Sequence, residues 1–147
     1  MKFLKINSSG NLYAIALILF FALFFTSCAT QYNFGNSFVV PAAVGSVKVK
    51  MDKNNNYQID LNVKRLADPK RLNPAKEVYV VWMETEQEGR KNIGQLKTGS
   101  SMLSSALKSS LKTVSSSKPL AFFITAEDNA DMQYPAGEEV LRTTPPR

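Results

Sequence analysis

Few side chains in this 147-residue chain could do chemistry, and they fall in four places. Cys28 is the only thiol and stands at the end of an apolar run. Glu127, Asp128 and Asp131 cluster behind a Phe-rich stretch, and together they offer the oxygen ligands of a weak Ca²⁺ site. Glu84, Glu86 and Glu88 alternate, so they share one face of a strand. Paired carboxylates of that kind do acid–base work when they sit in a cleft. Asp52, Asn54 and Asn56 begin the Asp-x-Asn-x-Asn pattern of a Ca²⁺-binding loop. Such a loop also needs Gly and Glu further on, where this chain has Tyr57 and Val63, so a hairpin turn suits the segment better. The Glu127 cluster lacks a closing set of ligands and reads first as a solvated turn. Arg90 and Lys91 beside Glu84–Glu88 make that stretch a solvated rim. The chain has no histidine, which removes the commonest general base and the commonest metal ligand. No cofactor is implied, and an enzyme is disfavoured.

Cys28 has the strongest context. Lys2 and Lys5 precede an apolar run from Leu12 to Phe25 that ends in Phe25-Thr26-Ser27-Cys28. A basic start, a short apolar stretch and small residues before the break are the parts of a secretory signal peptide. Crossing a bilayer as a helix takes about 20 apolar residues, more than this run supplies. The ending resembles the lipobox of bacterial lipoproteins, with Phe25 where that family usually has Leu. The resemblance implies that residues 1–27 are removed and that Cys28, acylated, becomes the first residue and anchors the protein to membrane lipid. The single cysteine has no disulfide partner within the chain, which lipidation explains. Ala29 follows. By the sorting rule of enterobacterial lipoproteins this implies the outer membrane, facing the periplasm.

From Cys28 onward 16 of the 18 basic side chains remain against all 12 acidic ones, a net of +4. Both signs are interspersed along the chain, without the clustered stripe that nucleic acid calls for. The expected partners are membrane lipid through Cys28 and another envelope protein, and no nucleic acid. Residues 28–41 mix polar and aromatic side chains without period and read as the lipidated cysteine and a tether. The folded domain is expected over residues 42–147.

The pattern that would position these side chains is that of strands. Val47, Val49 and Met51 alternate with Lys48, Lys50 and Asp52, then Tyr57, Ile59, Leu61 and Val63 alternate with polar residues. Period two on either side of Asn54–Asn56 predicts a β-hairpin with one buried face. The Pro-containing stretch 65–76 crosses to a second sheet. Residues 77–85 and 120–126 are apolar on both faces and predict central strands, with Tyr79, Trp82, Phe122 and Ile124 as core. Residues 92–97 return beside the first of these. The Ser-rich stretch 100–117 suits either a helix or an extended segment, and the serines favour the latter. Val140 and Leu141 belong to a last strand. About seven short strands predict an all-β, immunoglobulin-like sandwich.

Val78-Tyr79-Val80-Val81-Trp82-Met83, Ile93-Gly94-Gln95-Leu96 and Phe122-Phe123-Ile124-Thr125-Ala126-Glu127, followed by Pro135, Gly137 and Val140-Leu141, resemble the extracytoplasmic domain of sigma-K-type anti-sigma factors. The resemblance implies the same sandwich. It also implies, as an alternative to a plain envelope interaction or structural module, a regulatory or sensory accessory. This chain carries a lipoprotein signal in place of that family's cytoplasmic sigma-binding region and membrane-spanning helix.

Overall fold

The computed structural model describes residues 29–99 and 108–146. Among these described residues nine strands form two antiparallel sheets. The first sheet holds β1 (Thr30–Asn33), β2 (Val44–Met51), β3 (Tyr57–Lys64), β7 (Lys108–Ser115) and β6 (Lys97–Gly99), side by side in that order. The second holds β5 (Gly89–Gln95), β4 (Val78–Thr85), β8 (Pro119–Glu127) and β9 (Glu139–Arg142). Without β1, the orders β2-β3-β7-β6 and β9-β8-β4-β5 are the ABED and GFC arrangement of an immunoglobulin-type sandwich, with one further strand beside C. The all-β sandwich read from the sequence is the fold.

The alternation in β2 and β3 turns Val47, Val49, Ile59, Leu61 and Val63 into the core, with the polar residues between them facing out. Their hairpin is built as its residues suggest. The Asp52 carboxylate accepts from the backbone N–H groups of Asn54 (2.8 Å) and Asn56 (2.9 Å), and Asn55 takes a left-handed φ of 62°. A connection over residues 65–77, containing one 3-10 turn at Pro69–Arg71, carries the chain to the second sheet. There β4 and β8 are the central pair. Tyr79, Val81, Met83, Phe122, Ile124 and Ala126 face the first sheet, while Val80, Trp82 and Phe123 face away from it. The extended reading holds over β7; residues 100–107 lie outside the described residues.

The tether is a correction. Thr30–Asn33 is an edge strand, paired with β2 from Thr30 opposite Val49 to Asn33 opposite Ser46. Tyr32 is buried, meets Phe122 edge-to-face at 5.2 Å and donates its hydroxyl to the Pro119 carbonyl at 3.0 Å. Phe34 bridges to Thr143, and the Gly35 N–H donates to the Arg142 carbonyl at 2.9 Å. The segment therefore closes one side of the sandwich by touching both sheets. A four-residue strand with a single buried side chain leaves no readable alternation, which is why the sequence looks unstructured there.

Candidate functional site

Cys28 lies outside the described residues, two positions before β1. The three carboxylates considered for Ca²⁺ do not converge. Glu127 is 1 % exposed and is consumed locally. Its Oε1 accepts from the Thr125 hydroxyl (2.6 Å) and the Ala136 N–H (3.1 Å), and its Oε2 from the Gly137 N–H (2.9 Å). Asp128 pairs with Lys76 at 2.8 Å, and Asp131 is exposed. Among the described residues no group of three His, Cys, Asp or Glu side chains is placed to hold a metal ion. Glu127 instead closes the β8–β9 connection. A side chain at Gly137 would collide with the Ala126 carbonyl, its Cβ falling 2.8 Å from that carbon and 3.0 Å from Glu127 Oε2. Only glycine lets the connection come this close.

Trp82 is fully buried, as expected of a core residue, but in a second cluster on the outer face of its sheet. In antibody domains the corresponding strand-C tryptophan packs between the sheets. Here Trp82 stacks on Phe123 (6.1 Å, 14°) and donates its indole N–H to Thr125 Oγ1 at 2.8 Å, which passes the chain of hydrogen bonds on to Glu127. Met132 packs against this cluster from the β8–β9 connection. Two arginines cover the rest. The Arg142 guanidinium lies 4.5 Å from the Phe123 ring centre and that of Arg90 lies 5.6 Å away, a cation–π arrangement. Glu84 sits between them, 3.2 Å from Arg90 and 2.9 Å from Arg142. Arg142 also pairs with Glu139, whose hydrogen bond is the largest cause of its raised pKa.

Of the alternating glutamates only Glu84 lies in β4; Glu86 and Glu88 fall in the turn that follows, so the three do not share a strand face, and Glu84 and Glu88 are tied up rather than poised while Glu86 is exposed. Glu88 bonds the Ser117 hydroxyl and pairs with Lys91 at 2.9 Å. The Ser117 bond, then Lys91, hold its carboxyl below the ordinary range, so near neutrality it carries no proton to donate. Glu84 is shared by two arginines. The sequence pattern gives the glutamates a solvated rim but carries no signal for Arg142 here, because its partners Glu84 and Phe123 come from strands that lie far apart in the chain.

Beside these residues lies a polar groove of about 760 Å³, between the edge strand β5 and residues 130–134. Asn92 builds it. Its side-chain amide donates to the carbonyls of Ala130 (2.9 Å) and Met132 (3.0 Å), and its Oδ1 accepts from the Gly94 N–H (2.9 Å), which holds the connection against β5. Arg90, Lys91, Gln95, Asp131, Gln133 and Tyr134 line the groove. Tyr134 is 78 % exposed, so its ring is available for contact. The groove offers donors of both kinds, a carboxylate and an aromatic face, the mixture that recognises a polar partner.

No family model matches the chain, and neither does any curated protein or any solved structure. The residues that carry the resemblance to anti-sigma domains occupy the second sheet and its turns. Tyr79, Trp82, Phe122 and Ile124 are buried there, and Gly137 is the close approach just described.

Proposed function

We propose that the protein is a lipoprotein anchored through Cys28, with the outer membrane and the periplasmic side as its location, and that its sandwich is a non-catalytic envelope interaction module. The observation that carries the reading is the groove beside β5. It is an open, polar surface with an exposed tyrosine on an otherwise closed sheet face. The nearby carboxylates support binding over catalysis, since Glu84 and Glu88 are each engaged in ion pairs with neighbouring cations. The regulatory alternative rests on the resemblance alone and would need a sigma/anti-sigma pair as partner.

One experiment addresses both halves. The full chain is expressed in a bacterial envelope with labelled fatty acid, with a photo-crosslinking residue at position 134 or, as control, at position 70. The expected outcome is lipid label lost in Cys28→Ser and a discrete adduct with one envelope protein from position 134 only. Label that persists in Cys28→Ser removes the anchor. Equal adducts, or none, at both positions remove the groove.

A further inference from the structure

The charges that look interspersed along the chain are segregated by the fold. On the outer face of the five-stranded sheet the register sets Lys48, Asp60 and Lys112 in one row, Lys50, Gln58 and Val114 in the next, and Lys64 beside Lys108 towards the other end. All five lysines are exposed. Asp60 is the only acidic residue in the five strands, and it reaches Lys112 at 3.6 Å. The described side chains of this face thus carry five positive charges and one negative, a net of +4.

We propose that this face docks the domain flat on an anionic lipid surface, with phosphate-bearing headgroups as its ligand. The proposal deepens the lipoprotein reading, on which the position of the anchor rests. Two residues of extended chain span at most about 7 Å, so an acyl-cysteine at position 28 holds Thr30 against the headgroups. Thr30 begins the edge strand of this same sheet. With no slack between anchor and domain, a face bordering β1 must meet the bilayer, and this one is complementary to it. Lysines on such a face stand about 7 Å apart along a strand and about 10 Å apart two strands away. Between them lies a shallow depression of about 570 Å³ lined by Lys48, Lys50, Gln58, Asp60, Lys112 and Val114. Val114, in register with Gln58 and Lys50, is 60 % exposed on this face at the end where the chain enters, an apolar contact for the interface. The groove beside β5 belongs to the other sheet and is left facing away from the membrane.

The test labels lysines chemically on the full chain as cells produce it, bound to vesicles of phosphatidylcholine alone or of phosphatidylcholine mixed with phosphatidylglycerol. Flotation reports the anchor and labelling reports the face. In the anionic vesicles Lys48, Lys50, Lys64, Lys108 and Lys112 should acylate at least ~fivefold more slowly than in neutral ones, the scale set by one surface lysine per anionic contact. Lys70 and Lys91 should not change, and high salt should erase the difference. Flotation with both vesicle types without charge-dependent protection keeps the anchor and overturns the face. Flotation with the anionic vesicles alone keeps the face and overturns the anchor. Protection of these lysines by a soluble polyanion or an acidic envelope protein, and none by vesicles, overturns the lipid assignment.

Discussion

Glu127→Gln is the sharpest perturbation of the second sheet, because it changes one atom and a charge while keeping the shape. The carboxylate is buried and takes part in none of the ion pairs among the described residues. Three donors converge on it, at 2.6, 3.1 and 2.9 Å. A glutamine can keep its oxygen against Thr125 and Ala136, but its amide nitrogen then faces the Gly137 N–H, donor against donor. The flipped amide faces the Ala136 N–H instead. Either way one part-buried backbone donor loses its partner, costing up to about 1–3 kcal/mol, and the remaining bonds lose their charge assistance. We expect a net loss of about 2–4 kcal/mol, a large part of the roughly 5–15 kcal/mol that holds a domain folded. Urea unfolding followed by Trp82, the single tryptophan, should show the midpoint falling by about 1–2 M at an unchanged slope. A variant within about 0.5 kcal/mol of wild type, or a more stable one, refutes the reasoning. So does a wild-type midpoint that rises with Ca²⁺ while that of the variant does not, since this would return Glu127 to a cation site.

Trp82→Ala should lower stability by about 3–5 kcal/mol, whereas Trp82→Phe should cost only about 1–2 kcal/mol because Thr125 keeps its own bond to Glu127; equal melting of wild type and Trp82→Ala in calorimetry would contradict the burial. Gly137→Ala should destabilise by about 1–3 kcal/mol through overpacking against the Ala126 carbonyl, readable in the same urea titration. Tyr79 is buried, finds no hydrogen-bond partner for its hydroxyl among the described residues, and has its pKa pushed up to about 12 by desolvation and, secondarily, by Asp68. The folded state therefore holds this proton more tightly than the unfolded chain, and its contribution is full below pH 10 and is lost as pH rises through 12. Tyr79→Phe should be no less stable at neutral pH and should gain on wild type by roughly 2–3 kcal/mol across that window; a constant difference between the two in alkaline unfolding would rule this out.

Much of the architecture could be read from periodicity, because an antiparallel strand with one wet face records that face every second residue. Val47 to Val63 specified the hairpin and its inward residues, Asp52 and the asparagines specified the turn, and the two-sided runs around Val80 and Phe123 marked the central pair. Burial of Tyr79, Trp82, Phe122 and Ile124 followed from the same logic. What the alternation does not encode is which strand lies beside which, or what covers a face. Lys48 and Lys112 lie 64 positions apart and become neighbours across Asp60 only through the β2–β3–β7 pairing, so a basic face hides in a sequence of mixed sign. Glu127 looks like part of a solvated turn until the β8–β9 connection folds back and presents two N–H groups to it. Tyr32 looks like part of a tether until β1 pairs with β2. Local pattern sets how each strand divides its side chains between two faces. Long-range pairing alone brings distant charges, donors and carboxylates within the few ångströms at which they act.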